Sequence, residues 1–138
     1  MDKSLNYLAL ARKAGRVELG EEPVGAAARG QIAYLVIVAK DAGDHTWRRA
    51  KSFVAGTQQL CIRLPYTKDD LGASIGRTAL AMAAFTDPAL ALAFAEALPE
   101  EAACPDVVEN LQKRVEHIRK RQQEAKAHRK NVKKGRKT

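Results

Sequence analysis

Aromatic residues are scarce in this 138-residue chain: three Phe, three Tyr and one Trp, 5% of the total. A core must therefore come from aliphatic and small side chains. The 46% hydrophobic content is ordinary for a globular protein and leaves enough apolar surface for one. Cysteine is nearly missing too. Cys61 and Cys104 have no CxxC spacing and no neighbouring His, which excludes a disulfide framework and the familiar zinc patterns. Leu60-Cys61-Ile62 reads instead as part of a buried strand, since free Cys packs as a small hydrophobe. His45, His117 and His128 are scattered, so neither a metal nor a cofactor is expected. No apolar run approaches the roughly 20 residues a membrane helix needs. Met1-Asp2-Lys3-Ser4 has no apolar secretory core, so the expected location is the cytoplasm, away from membranes.

Catalytic signatures are missing as well. There is no GxGxxG, Walker-type loop, HExxH or nucleophile elbow. The paired acids Asp69-Asp70 and Glu21-Glu22 fall at expected helix starts, where the helix dipole favours negative charge. That reading outweighs acid/base catalysis, and the chain is not expected to be an enzyme.

What is present is positive charge in one place. Gln112 to Thr138 holds twelve Lys/Arg against Glu116 and Glu124, a net of +10 where the whole chain carries +8. Residues 1–111 therefore sum to −2. A polyanion is the natural partner for such an appended stretch, because each phosphate neutralised releases condensed counterions. Arg119, Lys120, Arg121, Arg129, Lys130, Lys133, Lys134, Arg136 and Lys137 are its candidate RNA contacts.

Apolar periodicity organises the rest. Ser4 can cap a helix carrying Leu5, Leu8 and Ala9, with Gly15 as its stop. Arg16 to Leu19 is a short extended piece, and Gly20 opens a second helix ending near Gly30, with Pro23 in its first turn. Tyr34 to Ala39 is unbroken and β-branched, as in a strand buried on both faces. Asp44 can cap a helix through Phe53. A strand at Leu60–Leu64 follows, then a helix to Ile75 with a capping box of Thr67 and Asp70. Ala79–Phe85 is strand-length between Gly76 and Thr86-Asp87-Pro88, and Asp87-Pro88 opens a helix to Leu98. Strands alternating with helices predict a three-layer α/β/α sandwich with a mixed or largely parallel sheet over residues 1–98. Residues 99–105 read as a linker. Residues 106–138 read as a basic helix with an apolar stripe of Val108, Leu111, Val115 and Ile118, then a disordered tail from Lys126.

Loop residues carry the remaining chemistry. Lys13, Arg16, Lys40 and Arg77 can position an RNA backbone. Gly20, at a helix N-terminus, permits close backbone approach. Taken singly, each segment reads better as an ordinary turn with a solvated cation.

Together the segments resemble a known family. Leu19-Gly20-Glu21-Glu22, Ala28-Arg29-Gly30-Gln31-Ile32-Ala33, Ile37-Val38-Ala39-Lys40-Asp41-Ala42 and Leu71-Gly72-Ala73-Ser74-Ile75-Gly76 resemble the ribosomal-protein superfamily that binds kink-turn RNA. Residues 9–22, ALARKAGRVELGEE, are similar to its bacterial YlxQ-type members. The likeness spans about residues 4–98 and implies a non-enzymatic RNA-binding sandwich, ribosomal or ribosome-associated, with ribonucleoprotein components as partners. It implies that Gly20, Glu21 and Glu22 meet tandem G·A pairs. It further implies that Ile75, Gly76, Arg77, Thr78 and Ala79 pack on a flipped-out nucleotide, and that Lys40-Asp41 matches the pair after the central strand. Family members usually carry Asn-Glu and a later Lys where this chain has Glu22, Pro23 and Ala26. The rival expectation is a protein-interaction module whose basic tail binds nucleic acid non-specifically.

Overall fold

The computed structural model describes residues 2–136, with side chains in the last helix described as far as Arg129. Four strands, β1 (Val17–Leu19), β2 (Leu35–Val38), β3 (Leu60–Arg63) and β4 (Met82–Phe85), form one sheet in the order β1-β4-β2-β3. Six helices accompany them: α1 (Lys3–Lys13), α2 (Glu21–Arg29), α3 (Asp44–Val54), α4 (Lys68–Ser74), α5 (Pro88–Glu96) and α6 (Pro105–Arg136). β2 and β3 pair in parallel, while β4 runs antiparallel to both β1 and β2. The sheet is mixed, and α4 accounts for it. At seven residues, about 10 Å, it returns the chain to the end of the sheet that it left, so β4 must run back.

Local signals explain most boundaries. Thr67 and Asp70 form both halves of the capping box: Asp70 N–H donates to Thr67 Oγ1 at 3.0 Å and Thr67 N–H to Asp70 Oδ2 at 3.1 Å. These bonds from Thr67 hold the Asp70 carboxyl below the usual carboxylate range. Asp87 caps α5 with Pro88 first in the helix, and Gly15, at φ 68°, follows α1. Two caps differ from expectation. Asp2, not Ser4, caps α1, because Ser4 is drawn inward, its Oγ 2.7 Å from Asp2 Oδ1 and 2.5 Å from Tyr66 OH. Gly43 precedes α3, and Asp44 becomes its first residue, where its charge still suits the dipole.

The core is aliphatic and small, as the composition requires. Leu35 to Ala39 and Met82 to Phe85 are buried without interruption, and Phe85 meets Phe94 at 5.0 Å between ring centroids. α2 and α3 pack together, as do α1, α5 and α6. Cys61 is only half-buried, because β3 is an edge strand. Both cysteines are free.

The C-terminal region departs most from expectation. Glu100–Ala102 forms a 3-10 turn within the expected linker, and α6 begins at Pro105. Leu111 is fully buried and Val115 nearly so, which seats the apolar stripe against α5. The packed unit thus extends beyond the boundary expected at Leu98. In place of the disorder expected from Lys126, α6 continues to Arg136, since Gln, Glu, Ala, Lys and Arg are all good helix formers. Lys137 and Thr138 lie outside the described residues, as do the side chains of Lys130, Lys133, Lys134 and Arg136.

Candidate nucleic-acid interface

Strand directions decide which loops meet. β1 ends beside the start of β4, with Leu19 opposite Ala83. β2 ends there too, with Val38 opposite Met82, and β3 ends alongside β2. Gly20–Glu22, Lys40–Asp41 and the segment before β4 therefore gather at one end of the sheet. Backbone hydrogen bonds tie them: Gly20 N–H donates to Met82 O at 2.9 Å, Ala39 N–H to Ala81 O at 2.9 Å and Lys40 N–H to Tyr66 O at 2.8 Å. These residues are far apart along the chain, and the topology places them side by side.

The loop before β4 is shaped by α4. Arg77 N–H donates to Gly72 O at 2.8 Å and Leu80 N–H to Lys68 O at 2.9 Å, which lays the loop directly on the helix. Only a residue without a side chain fits at Gly72, since a Cβ there would lie 2.7 Å from Ala79 N and Cα. Gly76, Arg77, Thr78 and Ala79 are exposed as a result, with Gly76 at φ 74°. Ile75 is not: its side chain is buried in the core, and its carbonyl accepts a hydrogen bond from Arg12. Sequence reasoning misses Arg12, because its position near the end of α1 gives no hint of a partner 63 residues away.

Other expected contacts are partly engaged elsewhere. Glu21 forms an ion pair with Arg49, whose guanidinium also lies 5.4 Å from the Phe53 ring centroid. Asp41 Oδ1 accepts from Lys68 N–H at 2.8 Å, so this carboxylate braces the start of α4. Glu22 and Lys40 are exposed, and so is Lys13, which stands with Arg16 instead because Arg16 N–H donates to Ala11 O at 2.8 Å beside the end of α1. Gly20 stands at φ 99° before α2, and Pro23 removes one N–H from that helix's first turn. Arg16 does not belong with this group. Its carbonyl accepts from Thr86 N–H at 2.9 Å, at the opposite end of the sheet, because Arg16 precedes β1 and Val17 at the start of β1 lies opposite Phe85 at the end of β4.

The charge is divided unevenly. The loop end mixes Lys40, Lys68 and Arg77 with Glu22, Asp41 and Asp69, whereas α6 exposes Arg119, Lys120, Arg121, Lys126 and Arg129 in succession. Among the described residues, no cluster of His, Cys, Asp and Glu could hold a metal ion, and no helix is long and apolar enough to cross a membrane.

No family model matches the chain, and no curated protein sequence matches it. Solved structures do. A Bacillus halodurans protein of unknown function superposes with a TM-score of 0.65 at 27% identity, over 70% of this chain and 96% of that one. The 15.5kD RNA-binding protein of Giardia lamblia superposes with a TM-score of 0.59 at 17% identity, over 80% of this chain and 86% of that one. This chain shares their α/β sandwich fold.

Proposed function

We propose that this chain is a non-catalytic RNA-binding protein, ribosomal or ribosome-associated, working in the cytoplasm. The loop end orients a structured RNA and α6 supplies electrostatic affinity. The observation that carries the reading is the convergence of Gly20–Glu22, Lys40 and the exposed Gly76–Ala79 loop on one end of the sheet, in a sandwich shared with the Giardia RNA-binding protein. The N–H groups of Glu21 and Glu22, first in α2, suit phosphate or base edges, and Gly76 allows a base to approach backbone. A kink-turn is the structured RNA that the sequence resemblance implies.

One observation favours a second reading. Glu21 is held by Arg49, and Glu22 adds a negative charge where an RNA would dock, which suits a protein-interaction surface with α6 as a non-specific arm. Titration with a kink-turn RNA and with the same RNA carrying disrupted G·A pairs separates the two. Preferential binding to the intact kink-turn supports the first reading. Equal, salt-sensitive binding to both supports the second.

A further inference from the structure

The loop contacts Gly20–Glu22, Lys40 and Gly76–Ala79 lie at one end of the sheet, and a basic aromatic furrow lies at the other. Tyr34 stands just before β2 and Gln58 just before β3, next to the end of β4, where Tyr34 N–H donates to Phe85 O at 2.9 Å. α6 crosses this corner. Arg114 spans the gap: its guanidinium sits 4.6 Å from the Tyr34 ring centroid and donates to Gln58 O at 3.2 Å. Two open clefts of about 410 and 420 Å³ adjoin there and share Gln58, Lys113 and Arg114. The first also takes in Tyr34, His117 and Arg121, and neither contains an acidic residue. Lys113 meets Glu109 at 3.3 Å, but both side chains are more than half exposed, so the pair holds its charge only weakly.

We propose that this furrow is a second RNA contact, one that takes a single-stranded segment. A guanidinium held over a tyrosine ring at the mouth of a cleft offers a base both a cation and a π-face to pack on, and a π-face is common to every base. Lys113 and Arg121 stand two turns apart on α6, about 12 Å, along which a phosphodiester backbone can run. An acidic peptide would find the cations but would not use the Tyr34–Arg114 stack. The furrow opposes the loop end, so one protein can hold a folded RNA element at one pole and its flanking strand at the other. This inference stands independently of whether the loop end reads a kink-turn.

The test uses the full chain and two labelled probes, an oligouridylate of about ten nucleotides and a blunt kink-turn duplex. Arg114→Lys keeps the charge and removes the planar stack, and Tyr34→Leu removes the ring. Each should weaken oligouridylate binding about tenfold, the size of one base stack, while kink-turn affinity changes less than about twofold. Arg48→Gln, exposed on α3 and outside the furrow, should leave oligouridylate affinity unchanged. Thermal melts verify folding, and Arg114→Lys decides alone if Tyr34→Leu fails to fold. Three results would overturn the proposal: unchanged oligouridylate affinity in Arg114→Lys, an equal loss in Arg48→Gln, or displacement of the oligouridylate by a polyglutamate peptide at matched charge. Oligouridylate binding through the furrow with no kink-turn binding would retain the furrow and reject the loop end.

Discussion

Gly72→Ala probes the joint between α4 and the loop before β4. The added Cβ would lie 2.7 Å from Ala79 Cα and N and 2.8 Å from Arg77 O. All three are backbone atoms, so no side chain can swing aside. Ordinary carbon contacts are about 3.5–4.0 Å, so the loop must retreat by about 1 Å. Retreat stretches the hydrogen bond from Arg77 N–H to Gly72 O, now 2.8 Å. Overpacking of this kind costs about 1–3 kcal/mol, against which the better helix propensity of Ala returns up to about 1 kcal/mol. A net loss of about 1–2 kcal/mol should appear in urea denaturation as a lower midpoint at constant slope. Gly30→Ala is the control. Its Cβ would make only ordinary contacts of 3.6 Å at φ −81°, and the change should be neutral or slightly stabilising. In the proposed function the displaced Gly76–Ala79 loop also weakens structured-RNA binding. A Gly72→Ala protein as stable as the parent, with the same affinity, would refute the reasoning.

Leu111→Ala should destabilise the protein by about 2–4 kcal/mol in the same assay, because Leu111 is fully buried on the face of α6 that packs on α5; an effect below about 1 kcal/mol would detach α6 from the core. Truncation after Gln122 removes seven Lys/Arg and Glu124, all beyond the buried positions of α6. It should leave the urea midpoint unchanged and flatten the salt dependence of RNA affinity by up to about 0.9 in log–log slope for each phosphate no longer neutralised. Alkaline pH should weaken the fold. Burial pushes the Cys61 thiol from 9.0 up to about 12, and burial pushes the Tyr66 phenol from 10.0 up to about 12. The folded state therefore holds protons that the unfolded state releases, so stability is full below pH 9 and declines as pH rises toward 12. Urea midpoints between pH 8 and 11 should show the fall, and Cys61→Ala should delay its onset to about pH 10. Glu22→Asn with Ala26→Lys, both at exposed positions of α2, should improve kink-turn binding by about 1–3 kcal/mol in calorimetric titration, with no gain for an unbent duplex.

Elements with strong local signals are legible in the sequence. The capping box at Thr67 and Asp70, the Asp87-Pro88 helix start and the doubly buried β2 all rest on short-range chemistry. Ser4 looks like a cap in the sequence because its true partner, Tyr66, lies 62 residues away. Ile75 enters the candidate site only through the family resemblance, and its burial depends on long-range packing that no short-range pattern shows. The full extent of α6 is hidden because the apolar stripe ends near Ile118 while the helix continues on propensity. The gathering of the loops depends on strand direction, and the antiparallel β4 follows from where α4 returns the chain. Of the furrow, the sequence shows only the cation Arg121; the pairing of Tyr34 with Arg114 requires α6 to cross the far end of the sheet.

Ultraviolet crosslinking of the full chain to bound RNA in cells, with the crosslinked peptides mapped and the RNA sequenced, tests the central claim most directly. The account predicts crosslinks on Gly20–Glu22 and Gly76–Ala79 together with α6, and recovered RNA enriched in one structured element. Crosslinks confined to α6, with RNA recovered in proportion to its abundance, would contradict it.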